Sequence, residues 1–268
     1  MTQPDLLLIG SGHLGRRVGA TWRDQTDAPI LAETLTERAW DDLRALGFSP
    51  RRRAWEPPQP HPFVLFAIPP SGAEDYAAEA RRAASLWDGS GSLVMTSSTG
   101  VYPVTDGERC VEGSPVAEHD RARRLLDAEA EIRAVGGVIV RLAGLYDVAQ
   151  GPHRVYMRNA TSARHPEGLI NLIHYDDAAR LIVAALHHGA RGAVYMGCDD
   201  RPISRQRLVE AALRSPRYRD LDATRCEFTG ESGALGRICD NTATRQALGW
   251  SPTWATFEAW AADEAQEA

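Results

Sequence analysis

The sequence predicts an α/β fold: a Rossmann-type doubly wound parallel sheet with a smaller C-terminal α/β region. Three observations predict it. Leu6-Leu7-Leu8-Ile9 reads as a short apolar strand that runs into Gly10-Ser11-Gly12-His13-Leu14-Gly15, a G-x-G-x-x-G turn, and then into a helix. Strand-like and helix-like segments alternate from there to Leu145, the order that builds parallel sheets with helices on both faces. Several of the strand-like runs are apolar without alternation, as strands covered on both faces are.

In chain order, the second apolar run, Ala28 to Ala32, ends at Glu33. Thr36 to Leu46 reads as a helix stopped by Gly47, and a short strand is expected near Arg52-Arg53-Ala54-Trp55. The proline-rich Glu56 to Pro62 is a linker ahead of Phe63-Val64-Leu65-Phe66-Ala67-Ile68, a buried strand stopped by Pro69-Pro70. Ala73 to Leu86 has helical composition, and Ser92 to Ser98 is another buried strand, ending in hydroxyls. Asp120 to Ala134 is a charged helix offering Leu125, Leu126 and Ile132 for packing; Val138 to Leu142 is a further strand. Beyond Asp147 the pattern loosens into a loop at Gln150-Gly151-Pro152. Leu169 to Asp177 then leads into an Ala-rich helix to His187, followed by a strand at Ala193 to Gly197 and a helix capped by Ser204. The expected division is a dinucleotide-binding domain over 1–148 and a smaller substrate region over 149–268, with segments of 169–200 returning to the first domain.

Composition narrows the function. The 268 residues carry a net charge of −6, which disfavours a nucleic-acid partner. Arg51-Arg52-Arg53 is a local run, read as a solvated strand edge. No apolar run approaches the roughly 18 residues that span a bilayer, so no membrane partner is expected. The opening residues lack the pattern of a signal peptide. Cys110, Cys198, Cys226 and Cys239 are scattered without metal or redox spacing, which suggests reduced thiols in a cytoplasmic protein. All 30 basic residues are arginine. Without a lysine, P-loop and Schiff-base chemistry are excluded.

The glycine turn carries the first functional expectation. Gly10 lets the chain turn off its strand, Gly12 removes a side chain where a pyrophosphate approaches backbone, and Gly15 lets the helix pack closely. Ser11, His13 and Leu14 complete the cradle, and the helix N-terminus offers free N–H groups and a positive dipole end. Ligands in such sheets bind beyond the carboxyl ends of strands, so Ala67, Ile68, Pro69 and Thr96 are expected to line the same site. A carboxylate at Glu33 accepts hydrogen bonds from ribose hydroxyls and repels a 2′-phosphate, favouring NAD, while Arg16, Arg17 and Arg38 leave room for NADP. His174, Asp176 and Asp177 have no metal spacing and read as structural; no metal is expected.

Five segments in order then resemble the extended short-chain dehydrogenase/reductase family, the NAD-dependent epimerase/dehydratase group. They are the glycine turn; Thr96-Ser97-Ser98-Thr99-Gly100-Val101-Tyr102-Pro103, similar to S-S-x-x-V-Y-G; and Arg141-Leu142-Ala143-Gly144-Leu145-Tyr146, similar to R-x-x-x-x-Y-G. Ile173-His174-Tyr175-Asp176-Asp177-Ala178-Ala179 is similar to I-H-V-D-D-x-A, and Leu248-Gly249-Trp250-Ser251-Pro252 to L-G-W-x-P. The resemblance implies that Ser98 is a catalytic serine hydrogen-bonding the reacting oxygen. It also implies a Tyr-x-x-x-Lys pair on the next helix, and here the chain departs, with no lysine and no tyrosine between Tyr102 and Tyr146. The best positional match is His119 with Arg123, four apart and so on one helical face; Tyr102 and Tyr146 are the nearest phenols. The turn is also shorter than the family's G-x-x-G-x-x-G, and both departures point to its atypical members.

Two readings follow. One is an NAD(P)-dependent oxidoreductase or epimerase/dehydratase-like enzyme acting on a carbonyl or sugar-like small molecule. The other is a non-catalytic NAD(P)-binding sensor or scaffold that has lost the proton relay. The resemblance also suggests a homodimer through the Ala73–Leu86 and Asp120–Ala134 helices.

Overall fold

The computed structural model describes residues 6–53, 60–219, 225–231 and 233–263. The first half alternates as β1 (Leu6–Ile9), α1 (His13–Gln25), β2 (Ile30–Thr34), α2 (Trp40–Ala45), β3 (Ser49–Arg52), β4 (His61–Phe66), α3 (Tyr76–Ser85) and β5 (Trp87–Ser98). Then come β6 (Asp106–Cys110), α4 (Asp120–Ala134), β7 (Val138–Leu142) and β8 (Gly144–Tyr146). The second half contains α5 (Pro152–Arg158), β9 (Thr161–Ser162), β10 (Leu169–Ile170), β11 (Leu172–His174), α6 (Tyr175–His188), β12 (Val194–Gly197) and β13 (Ile203–Ser204). It closes with α7 (Arg205–Arg214), β14 (Glu227–Phe228), β15 (Gly236–Cys239), α8 (Thr242–Leu248) and α9 (Phe257–Ala262).

Seven strands form one parallel sheet in the order β12-β7-β5-β4-β1-β2-β3. The chain runs outward from β1 to β3 and then restarts on the other side at β4, so the order reverses beside β1. That reversal opens a crevice beyond the carboxyl ends of β1 and β4, the place where such sheets bind ligands. Every residue of β1 and of β7 is buried, as the unbroken apolar run of β1 requires; in β7 the burial includes Arg141. One face of α1, made by Gly15, Val18, Gly19 and Trp22, lies against the core. A Cβ on Gly19 would come within 2.5 Å of the Phe48 ring, so the small residue sets how closely this helix approaches. Each Leu or Ile buried in β1 contributes roughly 1.5–3 kcal/mol relative to exposure. A second apolar cluster, around Tyr146, Met157, Leu208, Phe257 and Trp260, holds α5, α7 and α9 together.

Several elements differ in extent from the sequence expectation. The helix expected over 36–46 is a 3-10 turn at Glu37–Ala39 followed by the six-residue α2. β3 begins at Ser49, earlier than expected; Ala54 and Trp55 lie outside the described residues, as does most of the proline-rich linker. β5 begins at Trp87 because Gly91 lets the strand press against Pro62, whose carbonyl oxygen a Cβ would meet at 2.3 Å. Among the described residues, no helix is long and apolar enough to cross a membrane, and no cluster of His, Cys, Asp and Glu suits a metal ion.

Asp199, just past β12, carries an electrostatic load. It is 3% exposed, and neither carboxylate oxygen has a partner of ordinary hydrogen-bond geometry. Burial pushes its carboxyl well above the usual range; the Arg201 backbone N–H pulls back, while Asp200 and Asp177 push further. The folded chain therefore holds a proton that the unfolded chain releases above roughly pH 4. Stability conferred by that proton is complete below the unfolded pKa and is lost as pH rises toward the folded one. Asp199→Asn, which cannot ionise, is expected to flatten this slope and raise the denaturation midpoint at about pH 8 above that of the parent. Urea titrations at several pH values measure it; an unchanged slope would show that Asp199 is ionised in the fold.

Candidate functional site

The crevice beyond β1, β4 and β5 is a cleft of about 970 Å3, at the upper end of the roughly 300–1,000 Å3 of small-molecule sites. The three glycines of the turn do different work. Gly10 has φ +108°, and a Cβ there would lie 2.6 Å from the Ala67 carbonyl carbon. At Gly15 a Cβ would lie 2.1 Å from the Gly10 carbonyl oxygen. Both are packing requirements. At Gly12 a Cβ would meet nothing within 4 Å, because this exposed residue faces the open cleft. Gly12 is also the N-cap of α1, and no side chain caps that helix. Backbone amides with a positive dipole end are thus presented to the cavity, the geometry that receives anionic groups.

Gly12, His13, Leu14, Gly15, Ala67, Ile68, Pro69, Thr96 and Ser98 all line the cleft. Gly10 and Ser11 do not; they shape the turn from behind, with the Ser11 carbonyl accepting from Arg16 Nε at 3.2 Å. Glu33 departs from its expected role. It ends up 5% exposed and outside the cleft wall, its carboxylate shared between Arg51 (3.1 Å) and Arg82 (2.7 Å). Two guanidinium groups around one carboxylate leave a local excess of positive charge, so the repulsion of a 2′-phosphate argued from the sequence is offset.

The structure places the expected acid–base residues off the cleft wall. His119 is exposed and caps α4, its Nδ1 accepting from the Ala122 N–H at 3.0 Å. Arg123, also exposed, faces a shallower hollow with Glu74, Asp75 and Asp127. The reason is helical phase. The α4 face turned to the cleft carries Arg121, Arg124 and Leu125, and a step of two residues rotates a side chain about 200° away. Tyr102 is likewise outside the cleft and 1% exposed. Its hydroxyl donates to the Glu112 carbonyl (3.0 Å) and accepts from Arg141 (2.8 Å). Burial pushes the phenol up to about 12 despite the opposing pull of Arg141. Tyr146 is buried in the second apolar cluster.

The two serines that end β5 divide their roles. Ser97 donates to Glu129 Oε1 at 2.5 Å, and Glu129 is paired at 2.6 Å with buried Arg141. Ser98 faces the cleft, its Oγ accepting from the Gly100 N–H at 3.0 Å. That bond leaves the hydroxyl hydrogen free to be donated to a ligand. Arg124 is committed to the carbonyls of Pro70 and Ala73, whereas Arg121 makes no hydrogen bond or ion pair among the described residues.

On the opposite wall the fold joins His13 and Arg17 to Asp147 and Tyr175, a grouping that the sequence reading missed. His13 Nε2 hydrogen-bonds Asp147 Oδ2, and the same oxygen takes Arg17 at 2.9 Å. Asp147 Oδ1 accepts from the Ala149 and Gln150 amides. Burial would raise this carboxyl, but the His13 hydrogen bond, the Gln150 amide and the charges of His13 and Arg17 bring it below its usual range. Tyr175 lies edge-on to the His13 ring, with centroids 4.5 Å apart, and lines the cleft. Burial raises its phenol, Asp147 adds to the rise, and Arg17 opposes it. The parallel pairing of β11 with β8 sets this grouping, because Tyr146 opposite His174 carries the following residues, Asp147 and Tyr175, to one place. No local sequence signal announces it.

A scan against family models and a search of curated proteins match nothing. Solved structures do match. A conserved protein of unknown function from Silicibacter pomeroyi superposes with a TM-score of 0.77 at 21% identity, over 96% of each chain. The UDP-Glc/GlcNAc 4-epimerase of Campylobacter jejuni gives 0.77 at 16% identity, covering 94% of this chain and 95% of that one. The dTDP-glucose 4,6-dehydratase of Bacillus anthracis, solved with NAD, gives 0.74 at 14% identity over 96% and 93%. The chain shares the fold of these proteins along nearly its whole length.

Proposed function

We propose that the protein binds a nicotinamide dinucleotide, NAD in the first place, and uses it in an epimerase/dehydratase-type reaction on a small sugar-like or nucleotide-sugar substrate. The observation that carries the reading is Gly12, open to the cleft at the uncapped N-terminus of α1. The NAD complex of the Bacillus anthracis dehydratase, which has the same architecture, supports it. The α1 amides would hold the diphosphate; Ala67 to Pro69 and Thr96 would form the walls. The dinucleotide supplies hydride acceptance and return. Ser98 would donate its free hydroxyl hydrogen to a substrate oxygen. Arg121 would take an anionic group through its guanidinium fork, which is no proton carrier. That task falls to His13, held in place by Asp147; imidazole is the group most often used for it.

A second reading is favoured by the cleft face of α4, whose residues four apart are Arg121 and Leu125, with no phenol or amine between them. It makes the protein a dinucleotide-binding sensor without turnover. Titration of the purified chain with NAD and NADP, followed by a turnover assay on nucleotide sugars, separates the readings. We expect saturable binding, and for Arg121→Ala a fall in kcat/KM of at least about tenfold with dinucleotide affinity unchanged, a loss of about 1.4 kcal/mol in transition-state stabilisation. Binding without turnover would favour the sensor, and no binding of either dinucleotide would refute both.

A further inference from the structure

Away from the cleft, β6 and β15 pair in parallel with Cys239 directly opposite Cys110. Both residues are buried free thiols, facing each other across the strand pair. Neighbouring strands lie roughly 4.7–4.9 Å apart, within the 4.4–6.8 Å span of Cα positions that a disulfide accepts. Cys110 also lines a small hollow of about 140 Å3, together with Arg109, Ser114 and Arg237. Cys198 lies behind the pair, its thiol against the Cys239 carbonyl at 3.6 Å, and lines neither this hollow nor the main cleft.

We propose that Cys110 and Cys239 form an oxidisable dithiol, a modification site for small hydroperoxides that closes reversibly to an intramolecular disulfide. The two thiols are unlike, which assigns the order of events. The neighbouring Cys239 thiol draws Cys110 down to about 7; burial opposes it, and the Ser114 hydroxyl with the charges of Arg237 and Arg141 adds to it. The neighbouring Cys110 and burial hold the Cys239 thiol up. Cys110 is therefore the thiolate that attacks, since the thiolate is the nucleophilic form.

With hydrogen peroxide, the Cys110 sulfur bonds to one peroxide oxygen as the O–O bond breaks. The departing hydroxide takes a proton and leaves as water, and Cys110 becomes a sulfenic acid, oxidised by two electrons. The Cys239 sulfur then attacks the Cys110 sulfur. The S–O bond breaks, the hydroxide carries away the Cys239 proton as a second water, and the disulfide remains. Two thiols and one peroxide give one disulfide and two waters. The product would staple the strand that follows the Ser98 loop to a segment near the C-terminus.

The test uses the full reduced chain exposed to hydrogen peroxide, with thiol counting and peptide mapping under non-reducing conditions. We expect loss of two thiols, a Cys110–Cys239 linked peptide lighter by two hydrogens, and full reversal by dithiothreitol. Iodoacetamide at about pH 7 should alkylate Cys110 on the order of tenfold faster than Cys198, Cys226 or Cys239. Cys239→Ser should stop the disulfide and leave Cys110 as a sulfenic acid trapped by dimedone. Cys110→Ser should abolish both products, and should its folding fail, the Cys239→Ser arm alone decides. Equal labelling of all four cysteines, a disulfide involving Cys198 or Cys226, or no change under peroxide would overturn the proposal.

Discussion

Gly12→Val is expected to weaken dinucleotide binding by at least about a hundredfold, near 2.8 kcal/mol, while leaving the melting temperature where it was. The asymmetry follows from where each glycine points. A side chain at Gly12 enters the cavity, over the α1 amides that would receive the diphosphate, and its Cβ meets nothing within 4 Å. At Gly15 even a methyl group would overlap the Gly10 carbonyl oxygen, so Gly15→Ala should damage the fold itself. Calorimetric titration with NAD beside thermal unfolding separates the two effects. Unchanged affinity in a folded Gly12→Val variant would remove the ligand from this turn.

Arg141→Leu is expected to cost about 3–5 kcal/mol, read as a fall in Tm on the order of 10 °C. Arg141 lies in register with Ser97 on neighbouring strands and is bound to both Glu129 oxygens and to the Tyr102 hydroxyl. Its removal leaves the Glu129 carboxylate buried beside a single hydroxyl, and an unpaired buried charge is far more costly than a missing pair. Arg141→Leu combined with Glu129→Leu should therefore recover most of the loss. If the double substitution were no more stable than the single one, the cost would lie in packing and not in charge. Because Ser97 hangs from this network one residue before Ser98, the single variant should also loosen the cleft wall.

The parts of the molecule governed by local rules were legible from the residues. β1 with its turn, α4 and β7 carry apolar runs, broken in β7 only by Arg141, or a charged helical pattern, and α4 and β7 span the residues the sequence predicts. Tertiary register decided the rest. β6, β8, β11 and β15 are short, and each finds its partner far along the chain, so no local pattern foretold them. The helix bearing His119 and Arg123 was foreseen, but which of its faces meets the cleft is fixed by how α4 packs on α3 and β5. Tyr175 and Asp147 escaped notice for the same reason, since their neighbourhood exists only once β11 lies beside β8. Glu33 looked available because the strand end was visible in the sequence and the two arginines folding over it were not.

The placement of β12 has a consequence for biosynthesis. This strand lies beyond residue 190 yet completes the main sheet by covering β7. A nascent chain that has emerged only as far as Asp147 would present β7, every residue of it apolar or buried in the finished protein, as a bare adhesive edge. Cutting the gene at that point should yield inclusion bodies, whereas a fragment carried on to Gly197 has the missing strand to shield it.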